Sequence, residues 1–245
     1  MYYLYLMIEN IPGWYVTEIS PLCKSFSKIQ HGRPIEIAHR GYSEKYKDNS
    51  VEAFNESINN KFDMIELDIQ LCKNDIIVNH DLTIDNKNII DMTLEELRKY
   101  NLISLKEFFD IVKNKDILVY LDLKGSIELS QKLLDCLYEL NIDLSKIFVS
   151  SFNLEHIKYI YENNKQINIS FISSSMLDNN KIDEIMKYNL KFICFNYTIL
   201  TQECIDYCHN KKTKVYVYTC SNETDYKEIK KFNQLDGIVT DYKIY

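Results

Sequence analysis

Glycine and proline are scarce, with five and three in 245 residues, which excludes collagen-like and Pro/Gly-rich low-complexity architectures. The three prolines (Pro12, Pro21, Pro34) and the single tryptophan, Trp14, all fall in the first 34 residues, so that stretch differs in kind from the rest. No apolar run approaches the ~18 residues that span a bilayer, so no transmembrane segment is expected and any membrane contact is peripheral. Basic residues are outnumbered, 29 against 36 acids for a net charge of −7. A broad phosphate-gripping surface for nucleic acid is therefore not expected, although a local anion pocket for a small molecule is compatible with that balance. The seven cysteines are odd in number and lack a repeating spacing, unlike a secreted disulfide framework. The opening run Met1–Ile8 meets Glu9 without a basic leader or a small-residue cleavage site, and a cytoplasmic protein is the expectation. No internal repeat is evident, and the oligomeric state is left open.

What is present is the composition of one soluble α/β domain: 46% hydrophobic and 27% charged residues over a length too short for two comfortable domains. A boundary near Pro34 separates an N-terminal extension, residues 1–34, expected to pack on the main domain, from residues 35–245. From Ile35 onward, short runs rich in Ile, Val, Phe and Tyr alternate with helical patterns. That alternation is the signature of repeated βα units. Strands are expected at 35–39, 64–71, 117–124, 147–151, 167–172, 192–196, 215–219 and 237–240. A further run at 76–79 follows too closely for a crossover helix and reads as a hairpin arm. Val51, Phe54 and Ile58 share a helical face, as do Leu133, Leu134, Leu137 and Leu140. Thr93 with Glu96 and Ser104 with Glu107 have the spacing of a capping box. Eight parallel strands, each followed by a helix, predict a (β/α)8 TIM barrel with a small β-hairpin insertion after strand two. A doubly wound open sheet is the alternative.

In a barrel the chemistry lies where strands end, so polar residues at those ends carry weight. His39 and Arg40 close strand one, Glu66 and Asp68 lie in strand two, His80 and Asp81 follow the hairpin arm, and Asp122 and Lys124 end strand three. Side chains alternate along a strand, so Glu66 and Asp68 share one face, and Asp122 and Lys124 share one face of the next. Paired carboxylates inside a barrel repel and lose solvation unless a cation or protonation compensates. Oxygen ligands without a His or Cys cluster favour Mg²⁺ or Ca²⁺ over zinc. Each feature also has an ordinary reading. Glu-x-Asp suits a solvated edge strand, His39 a core histidine, Arg40 a surface cation and His80-Asp81 a turn. Their gathering at adjacent strand ends favours a site. Cys204, Cys208 and His209 look like a metal cluster, but cysteines four apart on a helix are expected to be core packing. Tyr42 and Tyr218 are candidates to line the pocket.

The segments Ile37-Ala-His-Arg-Gly41, Asn49-Ser50, Ile65-Glu-Leu-Asp68, His80-Asp81, Leu121-Asp-Leu-Lys124, Ser151-Phe152 and Asp236-Gly-Ile-Val-Thr-Asp241 resemble the glycerophosphodiester phosphodiesterase family in order and spacing. The resemblance implies a TIM barrel that hydrolyses a phosphodiester with a divalent metal ion, releasing glycerol 3-phosphate and an alcohol. It also implies His39 and His80 as the catalytic pair, Arg40 and Lys124 at the phosphate, and Glu66 and Asp68 as metal carboxylates. Asp122 stands where the family usually has a third, glutamate ligand. The resemblance implies a neighbouring substrate hydroxyl as first nucleophile, through a cyclic phosphate, with direct attack by water as the alternative that the sequence does not separate from it.

This chain departs from the family pattern in several places. It has Lys47-Asp-Asn-Ser50 for Pro-Glu-Asn-Thr, Lys73-Asn-Asp75 for Lys-Asp-Gly, no Arg-Thr-Thr around Asp85, and Tyr218 for the usual tryptophan. The changes fall on the surface that recognises the alcohol. They favour a non-glycerol headgroup or a sugar- or polymer-linked glycerophosphate. Alternatives are a related phospholipase acting on lysophospholipid or sphingolipid, and a catalytically silent phosphodiester-binding barrel.

Overall fold

The computed structural model describes residues 32–245. The expected packing of an extension over residues 1–34 lies, but for 32–34, outside the described residues. Within that stretch Arg33 forms a two-pronged ion pair with Asp63, at 2.7 and 3.1 Å.

A parallel barrel is built from β1 (Ile35–Ala38), β2 (Met64–Leu71), β6 (Leu118–Leu123), β7 (Ile147–Ser150), β8 (Asn168–Ile169), β9 (Phe171–Ser173), β10 (Phe192–Asn196), β11 (Lys214–Cys220) and β12 (Gly237–Thr240). Around the sheet the order is β8-β7-β6-β2-β1-β12-β11-β10-β9. The single run expected at 167–172 is thus two segments broken at Ser170. One half pairs with β7 and the other with β10, and together they close the barrel. Across the break the backbone N–H groups of Ser170 and Ile172 donate to Val149 and Ser151 carbonyls at 2.9 and 3.2 Å. The expected hairpin arm is β3 (Ile76–Val78), antiparallel to β2, and the following insertion carries a two-residue pair, β4 (Thr83–Ile84) with β5 (Lys87–Asn88).

Helices α1 (Val51–Asn59), α2 (Leu94–Leu97), α3 (Leu105–Val112), α4 (Glu128–Glu139), α5 (Leu154–Asn163), α6 (Asn179–Met186), α7 (Gln202–Asn210) and α8 (Glu223–Ile229) fill the connections. Both expected capping boxes form: the backbone N–H groups of Thr93 and Ser104 each donate to the carboxylate three residues on, at 2.8 Å. Outward-facing Ile65, Leu67, Ile69, Val119, Leu121 and Leu123 bury against Phe54, Phe108, Leu129 and Leu133 of the helices, which is the main apolar layer. Cys208 of α7 is fully buried there with Cys204 packed beside it, as expected, while His209 pairs with Asp236 at 2.8 Å.

Among the described residues no helix follows β12, against the expectation of a helix after every strand. Residues 241–245 instead run back over the barrel wall, where Glu36, fully buried, pairs with Lys243 and accepts the backbone N–H groups of Ile244 and Tyr245. An outward-facing carboxylate on β1 would be costly beneath an apolar helix. A tail that brings an ammonium group and two amide donors satisfies it.

The lower barrel is filled by the rings of Tyr120, Phe148, Phe192 and Tyr216, with Phe192 and Tyr216 stacked at 3.9 Å between centroids. Gly237 makes room for that stack, since a Cβ there would lie 2.8 Å from the Tyr216 ring. The aromatic plug leaves the carboxylates above it as the floor of the open end.

Candidate active site

The β1 strand ends in an abrupt left-handed turn, with φ of 56° at Arg40 and 82° at Gly41. A Cβ on Gly41 would meet the Ala53 Cβ at 2.7 Å, so glycine lets α1 approach the strand end. The turn aims the Arg40 backbone N–H at Glu66 Oε2, 2.9 Å away, and sets its guanidinium Nε 3.0 Å from Asp68 Oδ2. Asn49, just before α1, donates its side-chain amide to the same Asp68 oxygen at 3.0 Å.

On β2 the inward positions are Glu66, Asp68 and Gln70, all buried. The β2–β6 register sets Asp68 beside Asp122. Ligand oxygens of Glu66, Asp68 and Asp122 lie within 4.8 Å of one another. Lys124 Nζ sits 2.5 Å from Asp122 Oδ2 and 3.3 Å from Asp68 Oδ1. Two cations against three carboxylates leave one negative charge unbalanced.

The proton affinities record where the deficit falls. Burial acts to raise Asp68, but Lys124 and Arg40 outweigh it and hold the carboxyl below its usual value. Burial, with repulsion from Asp68 and Asp122, pushes Glu66 well up. Burial likewise lifts Asp122 to about 7 against the pull of Lys124. Both cations are raised above their usual values by the carboxylates around them, although burial pulls them down. Asp122 Oδ1 is buried and has no hydrogen-bond partner. An oxygen-only triad, one charge short of neutrality and with an unpartnered buried oxygen, fits a hard divalent cation such as Mg²⁺ or Ca²⁺.

The two histidines flank this cluster, and both line a cavity of about 160 Å³ with Arg40, Lys124 and the three carboxylates. His39 Nδ1 is 2.6 Å from Asp241 Oδ1, and Ser43 Oγ donates to the same oxygen at 2.9 Å. Burial acts to raise Asp241, but the hydrogen bond and charge of His39, with help from Ser221 and Ser43, keep it low. His80 Nδ1 is 2.8 Å from Asp81 Oδ1 in a more exposed setting. The loop bearing His80 is pinned by Gln70, whose amide donates to the Asn79 and Asp81 carbonyls at 2.9 and 2.7 Å. In each histidine Nε2 is left as the unpaired ring nitrogen.

Tyr218 lines the cavity as expected and donates its hydroxyl to the Ser173 carbonyl at 3.1 Å. Phe152 stands edge-on to it at 6.0 Å, with Lys124 Nζ 5.0 Å above its ring. Tyr42 does not reach the cavity. It is buried against Phe62 and Ala38, because the Arg40–Gly41 turn swings the following residues outward. Gln70 was not singled out from sequence, and Phe152 and Asp241 entered only within segments of the family resemblance, with no role assigned to either. A polar residue just past the last strand is the one local hint for Asp241, and nothing local marks Gln70 as a loop anchor.

Fold and site together define a class, a (β/α)8-barrel hydrolase with an acidic, cation-seeking floor at the C-terminal ends of its strands. The model of the glycerophosphoryl diester phosphodiesterase family matches residues 39–243. The chain therefore belongs to the glycerophosphoryl diester phosphodiesterase family and is a phosphoric diester hydrolase by class. It is 27% identical to a glycerophosphodiester phosphodiesterase of Caldanaerobacter subterraneus, over 85% of this chain and 94% of that one. Two solved structures share the fold. An Oleispira antarctica phosphodiesterase in complex with the product sn-glycerol-3-phosphate has a TM-score of 0.76 at 18% identity, covering 89% of this chain and 95% of the other. A glycerophosphodiester phosphodiesterase from Thermotoga maritima has 0.69 at 24%, covering 86% and 96%. Among the described residues no helix is long and apolar enough to cross a membrane.

Proposed function

We propose that this protein hydrolyses glycerophosphodiesters to glycerol 3-phosphate and an alcohol in a divalent-metal-dependent reaction, with His39 and His80 as the acid–base pair. The observation that carries the reading is that two aspartate-paired histidines open onto the same cavity as the carboxylate triad. Glu66, Asp68 and Asp122 would hold Mg²⁺ or Ca²⁺. When bound, such an ion neutralises charge on the phosphoryl oxygens. It also turns the site's deficit of one charge into a surplus of one, the complement of a diester monoanion.

Arg40 and Lys124 supply the remaining donors to the non-bridging oxygens. One histidine takes the proton of the attacking hydroxyl at Nε2, and the other protonates the departing alkoxide. Asp241 holds His39 by Nδ1 and stabilises the imidazolium that forms, and Asp81 does the same for His80 from a wetter position. The same pair serves an attacking water or a neighbouring hydroxyl of the glycerol. The Tyr218 ring walls the side where the alcohol lies.

The enzyme domain is taken as 35–245 with residues 1–34 as an extension, and the substrate is a small molecule. The six cysteines of the described residues are all unpaired, which supports a reducing, cytoplasmic setting.

Phosphorus NMR of glycerophosphocholine, glycerophosphoethanolamine and glycerophosphoglycerol, incubated with chelated protein and with added Mg²⁺ or Ca²⁺, tests the reading. Glycerol 3-phosphate is expected to appear only with the ion. Turnover of none of these diesters would overturn it.

A further inference from the structure

The two histidines of the site are held in unlike ways. His39 directly follows β1, and its side chain and that of its partner Asp241 are 20% and 23% exposed. His80 lies two residues past β3, 43% exposed, and its partner Asp81 is 77% exposed. A pair that open to water holds little, since solvent competes for both groups. What fixes His80 must reach it through the backbone.

The antiparallel β2–β3 ladder pairs Leu71 with Ile76, Gln70 with Ile77 and Ile69 with Val78. The Asn79 backbone N–H extends it by one bond, donating to the Asp68 carbonyl at 3.0 Å. There the chain leaves the sheet, and Gln70 takes over. It is the next inward position of β2 after Asp68 and is 2% exposed. Its one amide nitrogen, with two hydrogens to give, donates to the Asn79 carbonyl at 2.9 Å and to the Asp81 carbonyl at 2.7 Å. These are the residues immediately before and after His80. The Asn79 side-chain amide adds a second donor to the Asp81 carbonyl, also at 2.7 Å. Both targets of Gln70 are acceptors, so a carboxylate of the same size would repel them and a methionine would leave them bare. Gln70 is not among the residues that line the cavity.

Resting on the phosphodiesterase reading above, we propose that Gln70 is the positioning residue of His80. One buried amide ties the loop of the second histidine to the strand that carries Glu66 and Asp68, and so sets the reach of His80 Nε2 to the proton it transfers. Misplacing a reacting group by about 1 Å costs about 10²-fold in rate.

Steady-state hydrolysis of glycerophosphocholine by the metal-loaded protein is measured for wild type, Gln70→Met, His80→Ala and the double variant, with folding checked by thermal melting and Mg²⁺ affinity by calorimetry. Gln70→Met is expected to lose about 10- to 100-fold in kcat, with KM and Mg²⁺ affinity each held within about twofold. In the His80→Ala background the same substitution is expected to cost less than about twofold, because the group it positions is gone. Should Gln70→Met not fold, Asn79→Ala, which removes the second donor on the Asp81 carbonyl, runs through the same cycle, with a several-fold loss expected that also vanishes without His80. Wild-type kcat in the folded variant, a loss confined to KM, a loss that multiplies with that of His80→Ala, or a fall in Mg²⁺ affinity overturns the positioning role and leaves the phosphodiesterase reading standing. No turnover by the wild-type enzyme overturns that reading, and this one with it.

Discussion

Asp241 lies 2.6 Å from the Nδ1 atom of His39, a residue 202 positions away in the chain, and the same carboxylate oxygen accepts the Ser43 hydroxyl. The last barrel strand thus steadies the residue that ends the first. Replacing Asp241 by Asn keeps the shape but removes the charge that stabilises a His39 imidazolium. The expected result is a fall in kcat of about 10- to 100-fold with KM little changed, the scale of losing a partner that orients a reacting group. Steady-state kinetics across pH check it. A purely structural role would instead lower the melting temperature with kcat per folded molecule intact.

Either histidine changed to Ala is expected to lower kcat by about 10² or more, the usual effect of losing acid–base assistance. Single-turnover rates on glycerophosphocholine decide this, and near wild-type turnover in either variant removes that histidine from the mechanism.

The carboxylate triad sets an unusual pH dependence. Glu66 and Asp122 have folded-state pKa values raised by burial, Asp122 from 3.8 to about 7. The folded state thus binds their protons more tightly than the unfolded chain, and the stability this gives is present at acid pH and lost as pH rises toward and through 7. Metal-free protein is therefore expected to melt lower at pH 8 than at pH 5.5, while Asp68, whose pKa is lowered, is ionised in both folded and unfolded chains at both pH values and adds no slope between them. Adding Mg²⁺ or Ca²⁺ is expected to raise the melting temperature more at pH 8. Calorimetric scans at the two pH values, with and without ion, test the sign directly.

Asp122 is one methylene shorter than the glutamate usual at its place in the family, and its Oδ1 has no partner. Asp122→Glu is expected to bind the ion more tightly than wild type, and Asp122→Ala several-fold or more weakly. Metal titration by calorimetry measures both. Wild-type affinity and turnover in the Ala variant would remove Asp122 from the cation site.

Local rules read much of this molecule. The period-two parity of Glu66 with Asp68 placed both carboxylates inward, and the Thr93 and Ser104 capping boxes marked helix starts that the fold uses. The same rules could not find the break at Ser170. Residues 167–172 read as one extended run, while the two halves answer to different neighbours. Asn168 spends its side-chain amide on the Ser145 and Ile147 carbonyls of the β7 side, a long-range bond with no sequence signature. The His39–Asp241 pair was hidden for the same reason. Tyr42 misled because the strand-end turn reverses which way the following residues face, and a positive φ at Arg40 is not legible from an arginine.

The tail that packs over β1 makes closure of the barrel depend on segments far apart in the chain. β1 pairs with β12, and Glu36 finds its ammonium and amide partners in residues 243–245. Until residues 237–245 dock, the first strand stands with one edge unpaired and a carboxylate unmet. A partly folded form that lacks this seam presents an open strand edge, and it is the form most in need of a chaperone.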